Sequence, residues 1–152
     1  MATAENVDPK LWQILQKMKT PDFEPTTPLS GPALSKRRVA IVTTAAIQRA
    51  GERPFSAHAS DYRVIPRDAA DSLTIGHISV NFDRSGFQRD YNVVFPIDRL
   101  EELAQRGEIG SVADYHYAFL GSSNPLKMEA AAGQVAGLLK QDRVDAVLLT
   151  PV

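Results

Sequence analysis

Apolar positions near the N-terminus follow a helical pattern. Starting at Leu11 they recur at spacings of three or four residues, and Asp8 followed by Pro9 is typical of a helix start. The pattern predicts an amphipathic helix over residues 9–19, either packed on its own domain or docked on another subunit. Four prolines within residues 21–32 predict an extended connector, because proline fixes φ and lacks an N–H donor.

From residue 36 onward, short apolar runs alternate with helical patterns. Val39–Val42 and Val144–Leu149 are typical of strands buried on both faces of a parallel sheet. Further strands are predicted at Tyr62–Ile65, Leu73–Ile78 and Tyr115–Phe119, and helices from Pro96 to near Gly107 and from Pro125 to Lys140. This alternation predicts an α/β, Rossmann-like doubly wound domain over residues 36–152, with a mostly parallel sheet and flanking helices. The helix and the proline-rich connector of residues 1–35 precede this domain.

Composition narrows the classes of function. Of the 152 residues 23% are charged, and the formal net charge of −1 lacks the basic excess of a nucleic-acid-binding domain. The longest apolar stretches fall far short of the roughly 20 residues that cross a bilayer. The N-terminus lacks the basic and apolar regions of a signal peptide. We therefore expect a cytoplasmic protein with no nucleic-acid and no membrane partner.

The chain contains no cysteine. Within these 152 residues this excludes disulfides, thiolate zinc sites, iron–sulfur clusters and a cysteine nucleophile. His58, His77 and His116 form no pair at metal-ligand spacing, so no metal site is predicted. Thr43–Ala45 follows the first strand, where a phosphate loop would lie, but it lacks the glycines of a dinucleotide-binding motif.

A dense polar stretch follows the third predicted strand. Its candidate substrate-binding residues are His77, Asn81, Asp83 and Arg84. If they lie at the carboxyl end of that strand, Arg84 can stabilise an anion and His77 can donate a proton. The alternative is that Asn81 and Asp83 build a turn and Arg84 pairs with an aspartate. Thr150, at the end of the last strand, is a further candidate as a hydrogen-bond donor.

Two other polar features have structural interpretations. His116 lies between two tyrosines on a predicted strand and faces opposite to both, so a hydrogen-bonded structural role is favoured. Lys36–Arg38 is predicted to be a solvated stretch that leads into the first strand.

The last predicted strand lacks a covering helix in this sequence. Ligands of open α/β sheets bind beyond the carboxyl ends of the strands, and Thr150–Val152 begins the loop that leaves that end. Because a buried parallel strand is normally covered by the helix that follows it, we expect either a shortened domain or a missing C-terminal part.

Six segments carry a resemblance to a known family through their order and spacing. They are Val39–Ala45, Tyr62–Arg67, His77–Asp83, Asn92–Leu100, Gly107–Ser111 and Val144–Val152. Together they resemble the selenoprotein B family of glycine, sarcosine and betaine reductases, which includes the selenoprotein subunit of the dithiol-dependent D-proline reductase. The resemblance extends from Arg38 to Val152.

The resemblance implies reductive cleavage of a carbon–nitrogen bond in glycine, betaine, sarcosine or D-proline type substrates. In the family, selenocysteine or cysteine follows the strand that corresponds to Val144–Val152, and a second cysteine comes three positions later. The catalytic residue is therefore expected immediately after Val152, and no catalytic residue is expected within this chain. Because selenocysteine is encoded by UGA, normally a stop codon, we expect that the reading frame was ended at such a codon; a real truncation is the alternative.

The resemblance also implies partners. A pyruvoyl group on another subunit holds the substrate amine, and a dithiol donor such as a thioredoxin-like protein supplies electrons. We expect an oxidoreductase component when the chain is extended and an inactive 152-residue chain by itself. The alternative function is a non-catalytic α/β binding or scaffold subunit that has kept the fold of this family.

Overall fold

The computed structural model describes residues 7–17, 21–22, 24–27, 29–78 and 85–152. Helix α1 spans Pro9–Lys17, and the Asp8 carboxylate accepts the N–H of Lys10 at 2.9 Å. The predicted helix start is therefore confirmed, whereas residues 18–20 lie outside the described part of the chain.

The α/β domain is built on one mostly parallel sheet. Its central strand, β1 (Arg38–Thr43), pairs in parallel with the last strand, Ala146–Thr150, on one side. On its other side β1 pairs in parallel first with Ser111–Val112 and then with Tyr115–Phe119. The outer neighbour of Tyr115–Phe119 is the antiparallel strand Tyr62–Pro66. The predicted α/β class with a mostly parallel sheet is thus confirmed.

A second, two-stranded antiparallel sheet lies outside the main one. Numbered along the chain, the strands after β1 are β2 (Ile47–Arg49), β3 (Tyr62–Pro66), β4 (Leu73–Ile75), β5 (Ser111–Val112), β6 (Tyr115–Phe119) and β7 (Ala146–Thr150). The small sheet consists of β2 and β4. The strand predicted over Leu73–Ile78 therefore ends at Ile75 and does not join the main sheet, while β2 and β5 were not predicted because each is too short to show a period.

The helices cover both faces of the main sheet. They are α2 (Ser85–Arg89), α3 (Ile97–Gln105) and α4 (Glu129–Gln141). On one face Leu100 of α3 packs into the cluster that contains Ile41, and on the other Val135 of α4 packs with Tyr117. The helices predicted after Pro96 and Pro125 are confirmed, although the second begins with a 3₁₀ turn, Pro125–Met128.

Strand β7 forms an edge of the main sheet. Val147, Leu148 and Leu149 are 39%, 37% and 69% exposed. Alternate residues of a strand point to opposite faces, so apolar surface is open on both faces of β7. The prediction of a fully buried strand is wrong for β7, because among the described residues β1 is its only strand neighbour.

Arg38 corrects the prediction that Lys36–Arg38 is solvated throughout. Its guanidinium contacts the Asp142 carboxylate at 2.6 Å and that of Asp114 at 2.8 Å, and it donates to the Val112 carbonyl at 3.0 Å. Burial alone would raise the pKa of Asp142, but the hydrogen bond and charge of Arg38 outweigh it, and that pKa is lowered. Arg38 therefore ties the end of α4 to the amino end of β1.

Candidate functional site

The carboxyl ends of β1, β6 and β7 meet at one end of the main sheet. The N–H of Thr44, just after β1, donates to the carbonyl of Thr150 in β7 at 3.2 Å. The N–H of Gly121, just after β6, donates to the carbonyl of Thr44 at 3.0 Å. The segments that leave three parallel strands are thus in direct contact, at the end of an α/β sheet where ligands bind.

Thr44 and Gly121 together hold the backbone of Val152, and we call this pair the clasp. The Thr44 hydroxyl accepts the N–H of Val152 at 2.8 Å and donates to its carbonyl at 3.3 Å. A Cβ atom on Gly121 would lie 2.8 Å from the Val152 carbonyl oxygen and 2.9 Å from that of Thr44. Both are backbone atoms, so the close approach requires glycine. Neither residue was predicted to have this role.

Thr150 and His77 are the two predicted site residues in the described part of the chain. The Thr150 hydroxyl donates to the carbonyl of Val94 at 3.0 Å, so it fixes β7 against a neighbouring loop. His77 is buried and follows Gly76, whose N–H donates to the carbonyl of Ala46 at 2.8 Å. Both residues adjoin the segment that leaves β1, although His77 lies in a loop and does not close β4.

The other predicted members of this group are Asn81, Asp83 and Arg84. All three lie outside the described residues. Their proximity to His77 and their role in substrate binding stay predictions.

Ala46 holds the turn after β1 in a left-handed conformation. Its φ is 53° although it is not glycine, and it is fully buried. A non-glycine residue in this region costs about 1–2 kcal/mol. The Ala46 methyl packs in a small cluster with Phe55 and Leu120, which compensates for part of this cost. The turn at the crevice is therefore set by packing as well as by hydrogen bonds.

His116 has the structural role predicted for it, in an unexpected form. Its Nδ1 accepts the N–H of Ile41 at 2.9 Å, so a side chain replaces a main-chain acceptor where β5 gives way to β6. Its Nε2 has no hydrogen-bond partner among the described residues, and its ring packs edge-on against Phe95. Burial lowers the pKa of His116 to about 4. The neutral imidazole is the form that fits this position.

The described residues show neither a metal-binding cluster nor a membrane-spanning helix. They hold no group of three or more histidine and carboxylate side chains arranged to bind a metal ion. Nor does any described helix combine the length and the apolar character that a membrane span requires.

The clasp leads to a testable prediction about Val152. Thr44→Val removes the acceptor of the Val152 N–H, and a lost hydrogen bond of about 1 kcal/mol corresponds to roughly fivefold faster amide exchange. Thr44→Ser keeps the hydroxyl and should keep the protection. Residue-resolved hydrogen–deuterium exchange by NMR measures both variants, with the Ala46 N–H, bonded to the Phe119 carbonyl, as internal reference. Equal exchange of Val152 in all three proteins would contradict the clasp.

The chain matches a protein-family model over most of its length. The model described as glycine/sarcosine/betaine reductase selenoprotein B matches residues 13–152. No solved structure matches the chain significantly.

Curated relatives of known name match over 77% of the chain. The chain is 34% identical over 121 residues to the D-proline reductase subunit gamma of Acetoanaerobium sticklandii, of which the match covers 49%. It is 33% identical over 123 residues to the glycine reductase complex component B subunit gamma of Carboxydothermus hydrogenoformans, of which the match covers 28%. It is also 33% identical over 124 residues to the betaine reductase complex component B subunit beta of Peptoclostridium acidaminophilum, of which the match covers 28%. The chain thus spans about half or less of the length of these relatives.

Proposed function

Because the chain belongs to the glycine/sarcosine/betaine reductase selenoprotein B family, we propose that it is a component of a selenol- or thiol-dependent reductase that cleaves a carbon–nitrogen bond. The substrate would be of the glycine, betaine, sarcosine or D-proline type, as the names of the relatives suggest. In such a reaction the substrate takes up two electrons and two protons, and two thiols of the donor become a disulfide.

The observation that carries the proposal is the meeting of three strand ends beside Val152. The anion of a selenol or thiol is the nucleophile, and a helix that begins at the carboxyl edge of the sheet would stabilise that anion through its positive end. None of the 152 residues is a cysteine. We therefore propose that the reactive selenocysteine or cysteine is a residue beyond position 152, encoded at a UGA codon in the first case.

Assembly with other subunits is part of the proposal. The glycine, betaine and sarcosine reductase relatives are named as components of reductase complexes. The open apolar surface of Val147, Leu148 and Leu149 supports contact with further polypeptide at β7. The pyruvoyl group would belong to a partner subunit, and the electron donor would be a thioredoxin-like dithiol protein. His77 and Thr150 are the described candidates for orienting the substrate, and a cytoplasmic location stays a prediction.

The proposal is tested on the native protein from its source. The protein is captured with an antibody to residues 36–152, and its intact mass and selenium content are measured. We expect a mass above that of the 152-residue chain and one selenium atom per chain, or a cysteine in its place. Reductase turnover by the cysteine-free 152-residue chain, with purified partner subunits, would overturn the proposal.

The second candidate is a non-catalytic α/β binding or scaffold subunit. The complete lack of cysteine in the chain favours it. It predicts that the native protein contains neither selenium nor a reactive thiol, yet co-purifies with reductase subunits. The same mass and selenium measurement separates it from the first proposal.

A further inference from the structure

A polar cavity of about 380 Å³ lies beside the segment that joins β2 to β3. One wall is Arg63, whose guanidinium lies 4.2 Å above the centre of the Phe55 ring. Arg63 also contacts the Asp61 carboxylate at 2.7 Å and donates to the carbonyl of Arg53 at 3.2 Å. These contacts hold a positive charge in a fixed position at the cavity wall.

Two further side chains of the cavity lining have hydrogen-bond donors that no described residue uses. The Arg53 side chain and the His58 ring are exposed, and within the described residues neither forms a hydrogen bond or an ion pair. The backbone of His58 is left-handed, with a φ of 60°, which is uncommon for residues other than glycine. The hydroxyls of Ser56 and Ser60 also line the cavity. The lining is therefore rich in donors.

The charge of the lining selects the ligand. Arg53 and Arg63 are positive and Asp61 is negative, so these three side chains give the cavity one net positive charge. One negative charge on a small ligand balances it, whereas a phosphate dianion would exceed it. We propose that this cavity binds a small carboxylate, with the guanidinium of Arg53 as its main partner.

The cavity is connected to the crevice by the segment that follows β6. Ala59 lines the cavity, and its carbonyl accepts a hydrogen bond from the Ser123 hydroxyl. Two residues before Ser123, Gly121 contacts the backbone of Val152 in the clasp. The carboxylate site therefore lies at the same end of the sheet as the candidate site. The inference does not rest on the proposed redox chemistry and can be tested without turnover.

The test is an NMR titration of the ¹⁵N-labelled 152-residue protein with sodium acetate at constant ionic strength. We expect saturable shifts of the amide signals of residues 56–60, with a dissociation constant on the order of 1 mM. Arg53→Gln should weaken binding about tenfold, because it removes a charged hydrogen-bond donor.

The matched control is Arg49→Gln, which makes the same charge change in the same region. Arg49 is paired with Glu52 and does not line the cavity, so acetate binding should be unchanged. A dispersed spectrum of each variant shows that it is folded. Shifts that do not saturate, equal loss of binding in both variants, or tighter binding of sodium phosphate than of acetate would overturn the assignment.

Discussion

Replacement of His116 by alanine is expected to lower the free energy of unfolding by about 4 kcal/mol, the largest effect among the variants considered. The substitution removes the acceptor of the Ile41 N–H at the centre of the sheet. A buried donor without a partner costs about 1–3 kcal/mol. The space left by the imidazole, which is fully buried beside Phe95, adds a cavity cost of about 2 kcal/mol or more. Urea denaturation followed by circular dichroism measures the loss.

The pKa of His116 predicts how the free energy of unfolding depends on pH. The pKa of His116 is about 4 in the folded protein against an ordinary value of 6.5, because burial disfavours its charged form. Below pH 6.5 the unfolded chain binds a proton that the folded protein excludes, so stability falls from pH 6.5 down to about pH 4. Above pH 6.5 this contribution is fully present. The difference in pKa corresponds to about 3 kcal/mol.

His116→Asn separates the hydrogen bond from the titration. The asparagine Oδ1 occupies a position similar to that of Nδ1 and can accept the Ile41 N–H, but asparagine does not titrate. We expect His116→Asn to be more stable than His116→Ala and to lack the loss between pH 6.5 and 4. Equal slopes of stability against pH in the wild type and His116→Asn would show that another group is responsible.

Arg38→Met is expected to destabilise the protein by about 3 kcal/mol. Methionine keeps most of the apolar length of the side chain but leaves the Asp142 carboxylate, 15% exposed, without its counter-charge. Breaking a buried ion pair from one side costs about 3–5 kcal/mol, and partial exposure places this pair at the lower end. The loss is read from the midpoint of urea unfolding at pH 7.

Two comparisons sharpen this experiment. Arg99→Met removes an exposed ion pair with Glu102 on the surface of α3 and should cost at most about 0.5 kcal/mol. Combining Arg38→Met with Asp142→Asn removes both charges, so the double variant should lose less than the sum of the single losses. If Arg38→Met is no more harmful than Arg99→Met, the pair contributes little to the sheet.

Local pattern was sufficient for most of the elements. The Asp8–Pro9 start of α1 and Pro125 at the start of the last helical segment are local signals in the sequence. The structure adds that Asn124 caps that segment, since its side chain accepts the N–H of Leu126 at 3.0 Å. The apolar run of β1 also depended only on neighbouring positions. The family was recognisable for the same reason, since its segments are short and their order lies in the chain itself.

Local pattern did not predict burial or ion pairing where these depend on the neighbours of an element in the fold. The apolar run of β7 predicts burial, yet burial depends on whether a strand lies inside a sheet or at its edge. Arg38 has the same charge as the exposed Lys36 two positions earlier, but it meets Asp142. No period in the sequence distinguishes these cases, because each depends on the neighbours that the topology supplies.

The sequence by itself determined the fold class, most helices and strands, the lack of cysteine and the family. The tertiary structure alone decided the clasp and the two contacts on which the largest predicted effects depend, the Arg38–Asp142 ion pair and the His116–Ile41 hydrogen bond. Thr44 and Val152 are 108 residues apart, Arg38 and Asp142 are 104 apart, and His116 and Ile41 are 75 apart. Propensity and capping act over a few residues, whereas contacts at these separations arise only once parallel strands have brought distant segments side by side.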